Sequence, residues 1–355
     1  MNSAAQRLLV IHAGTHKTAS SYIQGRMAVN SEQLARSGVL VRYPASAARK
    51  HKPLASALAK RRWPIWQRFL RKQPADASML LLSAEQFTQP LTKKRSLKAL
   101  VEMLKSEGWR LQVLFFLRDQ PDYINARYVH STRRLYHHQS FDAYVTDQLG
   151  ERRHIYDYNY MFASLLKNPA ITCTFLPYGS IFGDPFERMM AALGVQVPAE
   201  GWLPADPSKG NVQPGCQGVW LAQAIGERLD QLGIRGKSLV NAGAVVRRIA
   251  EQQGWQDDRY CGFDAAGAAA VAAHYAQPND EFAQRVWGCS WRDRVPELQM
   301  KRRQFNPAAE ASGGVDSLEK LVQQGIKVLA RHNQPLDLAM RSSAFTMEST
   351  NSSVS

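Results

Sequence analysis

The feature of this sequence that most constrains its fold is a series of short apolar runs, each followed by sequence with helical spacing. Arg7–Ala13 is a short apolar run and Ala170–Leu176 is rich in residues that favour strands, while Ser78–Ser83 and Leu111–Leu117 are continuous apolar runs. Runs of this kind are typical of parallel strands that are buried on both faces. The alternation of strand and helix up to residue 194 therefore predicts an α/β fold with a central, mostly parallel sheet flanked by helices.

The remaining pattern predicts further elements and the domain boundaries. Val39–Tyr43 is expected to form another strand, and helices are expected from Thr18 to Gly38 and over Ser180–Leu193. Residues 213–290 have the spacing of several helices without strands, so we expect a helical C-terminal half. We predict one domain over residues 1–310, a C-terminal helix over 311–340 and a disordered tail over 341–355, which is rich in Ser, Thr and Asn.

The chain carries a large excess of positive charge. Its 355 residues include 45 Lys and Arg against 30 Asp and Glu, a formal net charge of +15. This excess favours anionic partners, namely nucleic acid, an acidic membrane surface, or small molecules that carry phosphate or sulfate. The charge alone does not distinguish these partners from a well-solvated surface.

The sequence gives no sign of secretion or of a membrane span. The apolar run before His12 is too short for a signal peptide, and no run approaches the ~18 apolar residues needed to cross a bilayer. The four cysteines lie at least 28 residues apart, so they predict neither a zinc site nor a disulfide framework. We therefore expect a cytoplasmic protein without a metal, and the sequence does not indicate its oligomeric state.

The segment Ile11–Gln24 (IHAGTHKTASSYIQ) places a glycine, a lysine and several hydroxyl residues between a buried strand and the start of a helix. Such a turn directs backbone N–H groups and the positive end of the helix dipole at one place, where an anion is stabilised. Lys17 adds a full positive charge, and Thr18, Ser20 and Ser21 offer hydroxyl donors or helix caps. An ordinary capped strand-to-helix turn is the alternative.

The segment differs from a Walker A loop. That loop has a glycine six residues before the lysine and another directly before it, whereas this chain has Ile11 and His16 there. The segment instead resembles the 5′-phosphosulfate-binding loop of sulfotransferases that use 3′-phosphoadenosine 5′-phosphosulfate (PAPS). Bacterial members read H-x-G-x-x-K-T-G-T-T-x-x-Q, which is matched at His12, Gly14, Lys17, Thr18 and Gln24, with a hydroxyl kept at Ser20 and Ser21 and Ala19 in place of glycine.

The resemblance implies a P-loop-like sulfotransferase fold, and weaker similarity extends over about residues 7–290. In this family a later strand ends in an arginine, and a serine eight residues on helps it to bind the 3′-phosphate of the cofactor. Arg118 matches the arginine, while Ala126 stands at the serine position, so we expect Asn125, Arg127 or Ser131 to compensate, or the affinity to be lower. The implied cofactor-binding residues are Gly14, Thr15, His16, Lys17, Thr18, Ala19, Ser20, Ser21, Arg118 and Ala126.

Sulfuryl transfer requires a cation at the leaving phosphate and a base for the acceptor hydroxyl. Lys17 is the expected cation. Glu85 is the first candidate base because it follows the Ser78–Ser83 strand, and ligands of open α/β sheets bind at the carboxyl ends of strands. His51 is the second because a neutral imidazole is available near pH 7. The structural alternatives are an ion-pair partner for Glu85 and an ordinary loop residue for His51.

A basic and aromatic strip covers residues 49–72 and contains no acid. Its rings are Trp63, Trp66 and Phe69. Its composition is compatible with an anionic glycan stacked on the rings, with an anionic membrane surface, with nucleic acid, or with a solvated face. Its cations are Arg49, Lys50, Lys52, Lys60, Arg61, Arg62, Arg68, Arg71 and Lys72.

Together these features predict a PAPS-dependent sulfotransferase that resembles the bacterial carbohydrate sulfotransferases. Its acceptor would be a hydroxyl of a glycan, a glycolipid or a similar molecule, and peripheral contact with the inner face of an anionic membrane is an open expectation. We expect no nucleic-acid partner. Two alternatives stay open: a non-catalytic polyanion-binding relative, suggested by Ala19 and Ala126, and a nucleotide kinase or NTPase.

Overall fold

The structure is a computed structural model, and it describes residues 7–42, 50–150, 155–206, 213–310 and 314–340. The chain divides into two compact units. The first comprises Met1–Gln120, Arg153–Asn211 and Ala272–Glu297, and the second comprises Pro121–Arg152, Val212–Val271 and Leu298–Ser355. The predicted tail over 341–355 lies outside the described residues, and the predicted domain boundaries stay a prediction.

The first unit contains a five-stranded sheet in which all strands are parallel. The strands lie in the order β2-β3-β1-β4-β5. The predicted α/β fold with a central parallel sheet is therefore confirmed, although β2 is shorter than the predicted strand and Tyr43 lies outside the described residues. The strands are β1 (Arg7–His12), β2 (Val39–Leu40), β3 (Met79–Ser83), β4 (Trp109–Leu117) and β5 (Ile171–Pro177).

The helices follow in chain order. They are α1 (Ser20–Val29), α2 (Ser31–Arg36), α3 (Lys52–Ala59), α4 (Trp63–Arg71), α5 (Thr88–Thr92), α6 (Lys94–Ser106), α7 (Gln120–Arg133), α8 (Phe141–Gly150), α9 (Tyr158–Met161), α10 (Ala163–Leu166), α11 (Pro185–Ala192), α12 (Gly215–Gln231), α13 (Ala242–Gln252), α14 (Ala265–His274), α15 (Ala276–Trp287), α16 (Trp291–Arg294), α17 (Pro307–Glu310) and α18 (Gly314–Ala330). Short 3-10 helices cover Glu85–Phe87, Ser180–Phe182, Gly236–Ser238 and Trp255–Asp257.

Both faces of the sheet are buried, which explains the continuous apolar runs. Successive side chains of a strand point to opposite faces. In β1, Leu9 and Ile11 pack on one face in a cluster that includes Trp66 of α4. Val10 packs on the other face in a cluster that includes Ile23 of α1 and residues of α11. Strands enclosed in this way gain stability from apolar burial on each face.

Two of the predicted helices are interrupted. The helix expected from Thr18 to Gly38 is divided at Asn30, whose side-chain amide donates to the carbonyls of Arg26 (2.8 Å) and Leu203 (2.9 Å). The helix expected over Ser180–Leu193 is wrong in its first part. A 3-10 turn comes first, Gly183 has a positive φ of 78°, and α11 begins only after Asp184, whose carboxylate caps it.

The second unit is helical. Its core is a cluster from α12, α13 and α18 that includes Leu221, Val246 and Ile326. An isolated antiparallel bridge joins Cys261 to Arg303. Among the described residues of the chain, no helix has both the length and the apolar character that a membrane crossing requires.

Candidate anion-binding site at the sheet edge

The strand order creates a topological switch point at the carboxyl ends of β1 and β4. After β1 the chain moves to β2 at one edge of the sheet, whereas after β4 it moves to β5 at the other edge. The two connections diverge and leave a crevice, and in open α/β sheets ligands bind in such a crevice. The loop Ala13–Ala19 follows β1 and Arg118 follows β4, so this crevice lies between the two segments that the sequence singled out.

Hydrogen bonds hold the loop after β1 against the sheet. The Ala13 N–H donates to the carbonyl of Leu114 (3.0 Å), and the buried Thr15 hydroxyl donates to the carbonyl of Phe116 (2.8 Å). On the other side the Thr88 hydroxyl lies within bonding distance of the carbonyls of Ala13 (3.2 Å) and Gly14 (3.0 Å). The loop is therefore bonded to β4 on one side, and the carbonyls of Ala13 and Gly14 are engaged by Thr88 on the other.

Two residues of the loop have a left-handed backbone that is unusual for residues with a Cβ. Lys17 has φ 70°, and Ala19, at the N-cap of α1, has φ 57° and ψ 19°. Arg118 stabilises this conformation because its Nη1 donates to the carbonyl of Lys17 (2.9 Å). Strained backbone concentrates at ligand sites, and N–H groups around left-handed residues form anion-binding concavities.

The interior of the loop is a small cradle over Gly14. A Cβ added at Gly14 would lie 2.5 Å from Ser20 Oγ and 3.2 Å from Thr18 Oγ1, so only glycine fits without a shift. Ser20 is buried, and its hydroxyl has no hydrogen-bond partner among the described residues. The Thr18 hydroxyl donates to the carbonyl of Thr15 (2.6 Å), while Ser21 is exposed on the first turn of α1.

The same loop has backbone donors without partners. In the described part of the chain, the N–H groups of Gly14, His16 and Ser20 make no hydrogen bond. A buried polar group without a partner costs about 1–3 kcal/mol. An anion bound at the loop would give the buried Ser20 hydroxyl an acceptor, and the three N–H groups are further donors of the same loop, so the residues present fit a phosphate or sulfate group.

Ser83 joins a buried polar network behind the loop. It accepts at Oγ from the Gln24 side-chain amide (3.2 Å) and lies 2.9 Å from His12 Nδ1. The Ser83 hydroxyl accepts from Gln24 and keeps one proton and one lone pair for its contact with His12. His12 Nε2 is buried without a partner in the described chain, and it faces the Gly14 cradle, since the added Cβ would lie 3.5 Å from it.

Burial lowers the pKa of His12 to about 4, and the charge of Glu85 opposes this shift. The imidazole is therefore neutral near pH 7. His12 and Gln24, which match the phosphosulfate-loop pattern, thus belong to a buried hydrogen-bond network that links the loop to Ser83 of β3. Ser83 is its centre, and the sequence analysis did not select it because strand pairing alone brings it beside His12.

Glu85 contacts the loop after β1. It begins the short 3-10 helix after β3, and its Oε2 is 3.3 Å from His16 Nδ1. The Glu85 side chain is 30% exposed and that of His16 is 53% exposed, so both reach solvent beside Lys17. A carboxylate and an imidazole in contact at the mouth of a crevice form a pair that can accept a proton.

His51 occupies a different environment from Glu85. It is fully buried at the N-cap of α3, where its Nδ1 accepts from the Ser83 N–H (2.9 Å) and its Nε2 donates to the Arg42 carbonyl. Burial lowers its pKa to about 4, although these backbone partners act in the opposite direction. With both ring nitrogens engaged, His51 fastens the chain before α3 to the end of β3 and presents no nitrogen to a substrate.

The 3′-phosphate residues expected from the sequence fall into both units. Arg118 belongs to the first unit, and its guanidinium carbon lies 5.5 Å from the centre of the Tyr178 ring. Ala126 is buried on α7 in the second unit. Three residues near Ala126 in sequence were expected to compensate for the missing serine. Asn125 binds the backbone of Tyr260 and Gly262, and Ser131 binds backbone carbonyls and His137. The guanidinium carbon of Arg127 lies 5.8 Å from the centre of the Tyr123 ring.

The basic and aromatic strip covers α3 and α4. Trp66 is fully buried and donates to the Leu54 carbonyl, while Trp63 and Phe69 pack against the core. Trp66 is therefore unable to stack on a sugar. Of the cations, Arg49 lies outside the described residues, Arg71 pairs with Glu107, and an exposed group comprises Lys52, Lys60, Arg61, Arg62, Arg68 and Lys72.

The described residues contain no group of three or more His, Cys, Asp or Glu side chains arranged to hold a metal ion. Comparison of the chain with protein-family models, with curated proteins and with solved structures found no match. The site is therefore interpreted from its own geometry and from the motifs of its sequence.

Proposed function

We propose that this chain is a PAPS-dependent sulfotransferase with a P-loop-like sulfotransferase fold, acting on a hydroxyl of a glycan, a glycolipid or a similar acceptor. The observation that carries the proposal is the Gly14 cradle at the switch point of the sheet. There a buried Ser20 hydroxyl and backbone N–H groups have no partner in the described chain, and Lys17 is adjacent. This cradle belongs to the segment that resembles the phosphosulfate-binding loop.

The cofactor, when bound, supplies an activated sulfuryl group on its 5′-phosphate. The N–H groups of Gly14, His16 and Ser20 and the Ser20 hydroxyl would hold that end of the molecule, with Ala19 and Ser21 at the start of α1. Thr15 and Thr18 have a different role because their hydroxyl protons bind loop and strand carbonyls and so fix the shape of the cradle. Arg118 would bind the 3′-phosphate, through charge-assisted hydrogen bonds.

Lys17 acts on the charge that develops during transfer. As the sulfuryl group leaves, negative charge builds on the phosphate oxygens, and a fixed cation next to them stabilises the transition state. The bond from Arg118 to the Lys17 carbonyl holds this backbone in its left-handed conformation. The loop geometry thereby fixes where the lysine side chain starts.

The Glu85–His16 pair accepts the proton of the acceptor hydroxyl. Its two side chains are in contact and partly exposed, so an acceptor approaching from solvent reaches them. The carboxylate orients the imidazole, and a carboxylate and an imidazole both serve as general bases in proteins. His51 has no part in this step because both of its ring nitrogens bind the backbone.

One observation favours a second candidate, a polyanion-binding protein without transferase activity. The exposed cations on α4 and in the turn between α3 and α4, including Lys60, Arg62 and Arg68, form a positive surface that a polyanion would bind whatever the loop after β1 does. This candidate predicts binding to heparin that is insensitive to changes in the loop.

Radiolabelled PAPS, incubated with an envelope fraction of the host as the acceptor source, separates the two candidates. We expect wild type and the exposed control Lys98→Ala to transfer label and Lys17→Ala to transfer none. Equal labelling by Lys17→Ala would contradict the proposed role of the loop. An absence of labelling by folded wild type, together with heparin binding that adenosine 3′,5′-bisphosphate does not displace, would favour the second candidate.

A further inference from the structure

A second arginine lies at the end of β5 beside the site. Arg188 is on α11, and its Nη1 donates to the carbonyl of Pro177, the last residue of β5 (2.6 Å). Its guanidinium carbon lies 5.0 Å from the centre of the Phe182 ring. The side chain is therefore fixed by the backbone of the strand end and by an aromatic ring.

Arg188 has no carboxylate partner among the described residues. The two acids nearest to it in sequence, Asp184 at the N-cap of α11 and Glu187 on α11, pair with Arg26 at 3.0 Å and 3.2 Å. The side chain of Arg188 is partly buried, and this partial desolvation of the guanidinium lowers its pKa. A desolvated cation without a counter-charge is unfavourable unless an anion binds to it.

Arg118 reaches the same strand end. β4 and β5 pair in parallel with Leu117 opposite Pro177, and the Tyr178 N–H donates to the Leu117 carbonyl (2.6 Å). Arg118 directly follows Leu117 and lies against the Tyr178 ring, while Arg188 binds the carbonyl of Pro177. Two guanidinium groups are thus anchored on consecutive residues at the carboxyl edge of the sheet.

We propose that Arg188 is a second phosphate-binding residue, which binds the 3′-phosphate of the cofactor together with Arg118. This inference rests on the proposed function, since it assigns a ligand group of the same cofactor. A guanidinium fork makes two parallel bonds to phosphate oxygens, so Arg188 replaces the hydroxyl donor that Ala126 lacks. Neither Asn125 nor Ser131 needs to supply that donor.

Calorimetric titration with two nucleotides tests the inference. Adenosine 3′,5′-bisphosphate carries the 3′-phosphate, and adenosine 5′-monophosphate lacks it. We expect Arg188→Ala to weaken binding of the bisphosphate about tenfold or more and to leave binding of the monophosphate almost unchanged. Arg188→Lys keeps the charge without the fork and is expected to retain part of the affinity. Arg285→Ala, an exposed arginine on α15, is the matched control and is expected to change neither.

The outcomes separate this inference from the proposed function. If folded wild type binds neither nucleotide, the proposed function fails. If wild type binds the bisphosphate and Arg188→Ala or Arg188→Lys binds it equally well, only the role of Arg188 is overturned. A loss of the same size for both nucleotides also overturns it, because that result indicates a structural role at the end of β5. Unfolding curves without ligand show which variants are folded.

Discussion

Replacement of Ala19 by glycine tests the conformation of the loop directly. Ala19 lies in the left-handed region, with φ 57° and ψ 19°, where the Cβ of an L-residue is crowded by the following carbonyl. Glycine has no Cβ and adopts this conformation readily. The family pattern that the segment resembles has glycine here, so the substitution also removes a departure from that pattern.

The expected effect of Ala19→Gly is a difference between two contributions. Relief of the left-handed conformation stabilises the folded chain by about 1–2 kcal/mol. The added freedom of glycine in the unfolded chain opposes this by about 0.4–1 kcal/mol. Glycine is also preferred to alanine at an N-cap. The centres of these two ranges differ by about 0.8 kcal/mol, so we expect the free energy of unfolding to rise by about that amount.

Urea unfolding, followed by circular dichroism, measures this change as a higher midpoint at constant slope. Ala99→Gly is a matched control in the interior of α6, where glycine is expected to lower stability by about 0.5–1 kcal/mol. Both substitutions replace alanine by glycine, and their expected effects on the free energy of unfolding have opposite signs. A lower midpoint for Ala19→Gly, similar to that of the control, would refute the left-handed conformation at the start of α1.

Two further predictions concern the cradle and the buried histidines. Gly14→Ala is expected to displace Ser20 Oγ and to weaken binding of adenosine 3′,5′-bisphosphate about tenfold. Gly25→Ala is the control, because its Cβ would meet no atom closer than 4.0 Å, and it is expected to leave this affinity unchanged. Equal affinities of the two variants would contradict the cradle. Burial lowers the pKa values of His12 and His51 from 6.5 to about 4. Between pH 6.5 and about 4 the unfolded chain therefore binds more protons than the native chain, and the free energy of unfolding is expected to fall as the pH drops through this window. Each histidine contributes a slope of about 1.4 kcal/mol per pH unit, and His51→Gln is expected to remove one such contribution in pH-dependent urea unfolding; an unchanged slope would show that His51 is not buried in its neutral form.

The sheet could be predicted from sequence because burial on both faces leaves a local signal in each strand. Every residue of the run Leu111–Leu117 except Gln112 is apolar, since its neighbours on each face are core residues. The loop could also be selected, because glycine, lysine and hydroxyl residues between a strand and a helix are adjacent in the chain. Both inferences depend on residues that are close in sequence.

The remaining features depend on partners that are distant in sequence. Asn30 ends α1 through a bond to Leu203, 173 residues away. From sequence, His51 resembles a base that is available to a substrate, but in the structure its Nδ1 accepts from the backbone N–H of Ser83. Trp66 appears in a basic strip, yet its ring is enclosed by the core beside the sheet. The local sequence around these three residues does not show that their side chains are buried and bonded within the fold.

The most direct measurement for the central claim is calorimetric titration of adenosine 3′,5′-bisphosphate into wild type, Lys17→Ala and the exposed control Lys98→Ala. If the loop after β1 binds the phosphate end of the cofactor, wild type and Lys98→Ala bind with equal affinity, and Lys17→Ala binds at least about tenfold more weakly. Absence of binding by folded wild type, or equal affinity of all three proteins, would contradict the claim that this loop is the cofactor site.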